Sequence, residues 1–409
     1  MSSSNLVSVT YTPEASYGVV PAPAPAVALD TARFTSESLS GTPETQVSTE
    51  LRTDRMSSGQ VVTGLTVGGD INFELSRDVF FDDWFEAGLM TTWVAASQVT
   101  ANVTLTPNPS NDQEADLVLS VTLPGVAVGD VLQVIPTDIA EPKFLLVVTS
   151  IDVANTEFTV ATARGQRPLT TEPSSVAVPS YAEIGSTKKS FTVSKAYQDV
   201  THLLTTDQHS QTYSGCLVSG FTVDAAYGAI LSGSFSTSGN GYEQEFPSYA
   251  QAVVTAGGTV NEAGTANPLN ASVDMPLVTK DGWIATDFCI ENISLQLSNG
   301  LDPQNCIGKI APQDYSLGTC EITLTVDMYN SDSSYDSFMA NKMSQVPVSF
   351  TFSAENANGG YAFSIIAAQL TFPDPAATGQ NAQVMINATG TAKVGPNGES
   401  AIRIYKLEA

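Results

Sequence analysis

Apolar positions along this chain follow two periods, and one arrangement of them appears twice. Phe81, Trp84, Phe85 and Leu89 are spaced i, i+3, i+4, i+8, and Tyr335, Phe338, Met339 and Met343 repeat that spacing 254 residues later. The spacing predicts one buried face of a short α-helix. Each helix follows an alternating run, Ile71, Phe73, Leu75 in the first case and Leu324, Val326, Met328 in the second. Alternation predicts a half-buried strand. Beyond each stripe a further strand opens in nearly the same way, as Ser190-Phe191-Thr192-Val193 and as Ser349-Phe350-Thr351-Phe352. The chain reads as one strand-helix-strand module made twice, and repetition of a module points to assembly.

The two copies are unequal. Helix to helix the offset is 254 residues, whereas Phe191 to Phe350 is 159, so the first copy holds about 95 extra residues. They are placed at 98–185, where short apolar runs (117–123, 129–135, 144–151, 158–162) alternate with turn residues too closely for crossover helices. A small all-β barrel or sandwich is expected there. Residues 1–30 are rich in Ser and Pro, include Pro21-Ala-Pro-Ala-Pro25, and read as an extended arm. The first module is assigned to 31–97 and 186–240, a polar linker to 241–264, and the second module to 265–409. A polar stretch at 41–60 predicts a long loop or projecting hairpin, with a counterpart at 297–318. The expected fold is mainly β: two tandem sandwich-like, barrel-forming modules, each flanked by one helix, plus the inserted β domain.

Composition narrows the functional classes. Charged residues make up 14% of the 409, against roughly 25% in typical globular chains, so Ser, Thr, Gly, Asn and Gln dominate the surface. With 16 Lys+Arg against 42 Asp+Glu the net charge is −26. Such a chain repels nucleic acid and anionic membranes. The first thirty residues contain no basic segment followed by an apolar one, and no run reaches the ~20 apolar residues of a membrane span, so a soluble protein made in the cytoplasm is expected. Cys216, Cys289, Cys306 and Cys320 stand singly and read as thiols.

Catalytic patterns are missing. His202 and His209 lack metal-ligand spacing, and no nucleophile elbow or phosphate loop occurs. Gly64-Leu-Thr-Val-Gly68-Gly69-Asp70 precedes a strand, not a helix, which argues against phosphate binding. Asp82, Asp83 and Glu86 could form an acid/base or hard-metal cluster, but acids in a first helical turn are better explained by the helix dipole, and the second copy has only Asp336 there. The run 330–336 resembles half a calcium loop without its glycine and closing Glu. Sequons at Asn102, Asn270, Asn292 and Asn387 are expected by chance in a Ser/Thr-rich chain. No enzyme activity, cofactor or metal is expected.

The run from Leu51-Arg-Thr-Asp-Arg55 through 61–76, with its Gly-Gly-Asp segment, followed by Phe81-Asp-Asp-Trp-Phe-Glu-Ala-Gly-Leu89, resembles the tail tube proteins of long-tailed, non-contractile bacteriophages. The second half resembles the same module less closely. The resemblance implies β-sandwich modules whose inner strands join around a channel, six to a ring, with loops or arms reaching the next ring. Two modules per chain would then need three chains, giving a homotrimeric, pseudo-hexameric ring. It also implies a virion location, tape measure, tail tip and terminator proteins as partners, and passage of double-stranded DNA without specific binding. Contact candidates on the two projections are Arg52, Asp54, Arg55, Asn299, Asp302, Asn305 and Lys309, while the two stripes supply helix packing. A surface-layer or adhesin-like array is the alternative, and a polysaccharide-cleaving enzyme a third reading.

Overall fold

Alternating β-branched and aromatic residues fold as strands along most of the chain, and the fold is mainly β. A computed structural model describes all residues except 1–2, 52, 54–55, 57–58, 110, 138–142, 153, 162–167, 202–206, 281–282, 285–288, 332–345, 372–373, 376–382, 396–397 and 409. The expected second helix, with Tyr335, Phe338, Met339 and Met343, therefore lies outside the described residues, as does the 330–336 run beyond Ser331.

In chain order, β1 (Val7–Pro13), β2 (Ala28–Thr31), β3 (Ser36–Glu37), β4 (Ser40–Val47) and β5 (Gln60–Glu74) precede helix α1 (Val79–Gly88). Six strands follow: β6 (Ser97–Asn108), β7 (Asn111–Leu119), β8 (Val131–Pro136), β9 (Phe144–Ile151), β10 (Glu157–Ala161) and β11 (Leu169–Val178). Then come β12 (Tyr181–Glu183), β13 (Ser190–Thr201), β14 (Gln208–Ala226), β15 (Ser232–Gly239), β16 (Gly241–Glu245), helix α2 (Tyr249–Thr255) and β17 (Thr259–Asn261). The remainder holds β18 (Val278–Lys280), β19 (Trp283–Ile284), β20 (Ile290–Ser298), β21 (Asp302–Pro303), β22 (Tyr315–Ser316), β23 (Glu321–Tyr329), β24 (Val348–Asn356), β25 (Gly359–Thr371), β26 (Met385–Ala392) and β27 (Ile402–Leu407).

Both halves of the chain pair their strands in one order. In the first, β3 and β4 lie against β5, which continues through β15, β14 and β13 to β1. In the second, β20 lies against β23, which continues through β26, β25 and β24 to β18. The halves are joined by antiparallel pairing of β14 with β20, from Gly220↔Ser298 to Ala226↔Asn292. One hydrophobic core runs through both, from Val9 and Tyr11 to Ile402 and Ile404.

Helix α1 forms where its stripe predicts it. Asp78 caps its N-terminus by accepting from the Phe80 amide, and Phe80, Phe81, Trp84 and Phe85 are fully buried. Trp84 stacks on Phe191, and Phe85 meets Tyr361 and Phe363 of β25 edge-on. The helix thereby packs on both halves at once. Burying each of these rings contributes about 1.5–3 kcal/mol.

Strands β6 to β11 close a six-stranded barrel with its own core. It is held to the second half by buried polar contacts. Arg403 and Tyr405 of β27 both reach the Asp130 carboxylate, and Gln133 donates to the Glu408 carbonyl. Leu277, Ala362, Tyr405 and Leu407 complete the apolar side of that seam.

Two expectations need correction. In place of a free arm at 1–30, β1 pairs with β13 along its whole length and buries Val9 and Tyr11. Ser and Pro enrichment masked the alternation Val7, Val9, Tyr11, whose partner lies some 180 residues away. Where a polar linker is expected at 241–264, the chain forms β16, α2 and β17. Helix α2 opens with a capping box between Ser248 and Gln251, and Tyr249 and Val253 pack on Leu29.

Candidate functional site

Strand alternation gives the joined sheet two unlike faces. One turns Ile71, Phe73, Phe221, Val223, Phe235, Ile293, Leu295, Leu324, Val326, Ile386 and Ala388 into the core. The other carries Asp70, Asn72, Thr222, Asp224, Ser234, Ser236, Asn292, Ser294, Gln296, Thr323, Thr325, Asp327, Asn387, Thr389 and Thr391, all partly or fully exposed. Hydrogen bonds cross this polar face from strand to strand. Asn72 donates to Ser36, Ser236 to Asp70 (2.7 Å), Ser294 to Asp224, and both Asn292 and Asn387 to Asp327. Thr222 pairs with Ser234, and Thr325 with Thr389. The side chains are thus fixed rather than free to wrap a ligand.

The charge on this sheet is one-sided. Strands β3, β4, β5, β14, β15, β20, β23, β25 and β26 contain no Lys or Arg, yet they carry Glu44, Asp70, Glu74, Asp224, Glu291, Glu321 and Asp327, while Glu37 lies opposite Ile71 and pairs with Lys195 of β13. All 16 basic residues of the chain lie elsewhere. A surface of hydroxyls, amides and carboxylates, with Lys393 one residue past β26 at its margin, releases few counterions from a phosphate backbone, so it gives DNA little electrostatic foothold. Among the described residues no group of three or more His, Cys, Asp or Glu side chains is arranged to hold a metal.

The acids of α1, by contrast, are partnered. Asp82 pairs with Arg77 (2.6 Å) and Lys406 (3.1 Å) and accepts from Tyr361, while Glu86 pairs with Lys189. Asp83 accepts from the Tyr11 hydroxyl at 2.9 Å, and burial pushes its carboxyl up to about 6. The cluster therefore fastens the helix to both halves.

Strands β4 and β5 form a long hairpin whose outer half is solvent-exposed, with Val47, Leu51, Met56, Val61 and Val62 uncovered. The stretch at 299–318 leaves the sheet through the small β21–β22 ribbon and returns against the hairpin, where the Leu65 amide donates to the Ile310 carbonyl. A cleft of about 560 Å³ separates them, lined in part by Glu44, Asn305, Ile307 and Lys309.

A family described as phage tail tube protein matches residues 4–392. The chain belongs to the phage tail tube protein family. Among curated proteins no match to it is found. The tail tube protein is accordingly a structural, non-enzymatic component of the virion tail, assembling with itself and with other tail proteins. No helix among its described residues is long and apolar enough to cross a membrane.

Where the tail tube protein places the contact candidates differs from one to the next. Arg52, Asp54 and Arg55 lie outside the described residues. Asp302, Asn305 and Lys309 are exposed on the second projection. Asn299 is not a surface contact: it is 5% exposed, and its amide donates to the carbonyls of Gly88 (2.7 Å) and Val218 (3.0 Å). It ties the end of α1 to β14, and a lone Asn beside Gly in sequence carries no sign of that role. Phe81, Trp84, Phe85 and Leu89 are all buried. The polar sheet face is not named by the sequence reading, because only the pairing of distant strands puts its residues on one surface.

Proposed function

We propose that this protein is the tail tube subunit of a long-tailed, non-contractile phage, and that three chains close each ring. Each chain supplies two modules, 31–97 with 186–240 and 265–409, so a ring holds six. The reading is carried by one observation: two halves with the same strand order already share a sheet through β14 and β20. A head-to-tail joint of that kind closes into a ring when its rotation divides a full turn.

The polar face of the sheet forms the channel wall. Three chains at −26 bring about −78 to a ring, and the strands of the wall carry carboxylates and no Lys or Arg. Double-stranded DNA then passes without binding, because each basic contact would add salt-dependent affinity and slow transit. The 41–60 projection and the 299–318 stretch stack one ring on the next, and tape measure, tail tip and terminator proteins meet the ends of the tube.

The test is a change of sign on the wall. Phage carrying Asp224→Lys with Asp327→Lys should assemble and then eject DNA more slowly at low salt, with recovery as salt rises. Ejection at the unaltered rate at every salt concentration would overturn the assignment of this face to the channel.

A further inference from the structure

Within one chain, β14 is covered on one edge first by β13 and then by β20, and on the other by β16 and then by β15. Strand β25 has the same neighbours in the second half with one omission among the described strands: β24 on the first edge, β27 and then β26 on the other. Beyond Ala368 no described strand covers the first edge of β25. At the opposite end of the sheet, β3 and β4 pair only with β5, so their outer edge is also open among the described strands.

Equivalent positions can be assigned by two routes that agree. Phe191 faces Cys216 and Phe350 faces Ile365, which sets Phe221 equivalent to Leu370. Crossing the sheet from these leads through Phe235 to Ile71 and through Gly390 to Leu324, the same pair that sequence alternation aligns. Farther across, Ser40 opposite Gly68 matches Ser298 opposite Glu321, so Leu39 matches Leu297 and Ser38 matches Gln296.

We infer that the open edge of β25 in one copy pairs antiparallel with residues 38–41 of a second copy, in the register that β14 already holds with β20. Phe221↔Leu297 and Thr222↔Gln296 within the chain become Leu370↔Leu39 and Thr371↔Ser38 between chains. This inference rests on the three-chain ring proposed above. Backbone polarity fits it. The Lys393 amide donates to Ala367, which turns odd-numbered residues of this part of β25 toward β26 and leaves the Leu370 peptide facing the open edge. The Ser38 amide donates to Asp70, leaving the Leu39 peptide facing away from β5.

In the free chain that Leu39 peptide is already satisfied. Its N–H donates to Glu37 (2.9 Å), and its carbonyl accepts from Tyr213 (3.0 Å) and Lys195 (3.2 Å), while Lys195 also pairs with Glu37 (3.3 Å). An open edge guarded by its own side chains does not add strands indiscriminately. Pairing exchanges the Glu37 acceptor for the Leu370 carbonyl and gives the Leu370 amide the Leu39 carbonyl.

Disulfide trapping tests the register. In a Cys289→Ser, Cys306→Ser background, Ser38→Cys with Thr371→Cys places thiols at a non-hydrogen-bonded pair, where Cα atoms lie about 4.5 Å apart and a disulfide fits. Oxidised tubes should run as covalent trimers on a non-reducing gel, while the matched intrachain pair, Thr222→Cys with Gln296→Cys, cross-links without leaving the monomer. Threefold rings by electron microscopy, with the control cross-linked and the Ser38/Thr371 chains still monomeric, would overturn the register and spare the ring. A covalent ladder continuing past three chains would keep the joint and overturn the ring. Should the double variant not fold, hydrogen exchange of the unmodified protein decides: Leu370 should exchange at least tenfold more slowly in tubes than in free chains, and equal rates would refute the pairing.

Discussion

Replacing Arg403 by Met should loosen the inserted barrel from the second half, by an amount the structure sets. The Asp130 side chain is 1% exposed and receives Arg403, the Tyr405 hydroxyl (2.7 Å) and the Ala127 amide (2.7 Å). Arg403 also bonds Glu183 of β12 (3.2 Å) and lies over the Tyr181 ring. Removing the cation leaves a buried carboxylate with two neutral donors, and breaking one side of such a pair costs about 3–5 kcal/mol. The remaining donors hold the loss near the lower figure, ~3 kcal/mol. The double variant Asp130→Asn, Arg403→Met buries no charge and should lose only about 1 kcal/mol. Hydrogen exchange with mass spectrometry reads the seam directly: opening of β12 and β27 should accelerate roughly 100-fold in the single variant and far less in the double. Equal acceleration in both, or less than about fivefold in the single, would show that Asp130 is not isolated from water and refute the argument.

Other outcomes follow from the same contacts. Asn299→Ala strips donors from the buried Gly88 and Val218 carbonyls and should cost about 2–4 kcal/mol in urea unfolding, whereas Asp302→Ala, on an exposed ribbon, should change stability by less than about 0.5 kcal/mol. Trp84→Ala removes a ring packed on Tyr11, Phe80 and Phe191 and should cost about 3–5 kcal/mol by the same measurement. The Asp83 carboxyl, raised to about 6 by burial, keeps its proton longer in the folded chain than in the unfolded one. Its contribution therefore falls as pH climbs from about 4 through 6, and Asp83→Asn should raise stability at pH 7 by about 1–2 kcal/mol, after discounting for partial exposure, with little change at pH 4. A gain that is the same at both pH values would contradict that origin.

What could be read from the sequence was whatever a local period encodes. Helix α1 announced itself through four apolar residues and an acidic first turn, and β20 and β23 through clean alternation. Residues 97–178 contain only strands among those described, in keeping with the short spacing of their apolar runs. Long-range pairing was less legible. Strand β1 hid in a Ser- and Pro-rich opening because β13, which makes sense of it, is far along the chain. Helix α2 carries only two buried apolar residues, Tyr249 and Val253, too few to stand out from a polar background. Asn299 shows the same limit at a single side chain: its two acceptors are backbone carbonyls on other elements, which no sequence pattern marks. The candidate channel wall lies between these cases. Alternation separates its residues from the core, and the absence of Lys and Arg is plain once the strands are known, but only the β14–β20 joint makes one surface of them.

The central claim is most directly tested by cryo-electron microscopy of assembled tubes at a resolution that resolves strands. The account predicts rings with threefold symmetry and six similar lobes, the face bearing Asp70, Asp224 and Asp327 turned to the lumen. Rings of six whole chains, or tubes with that face on the outside, would contradict it.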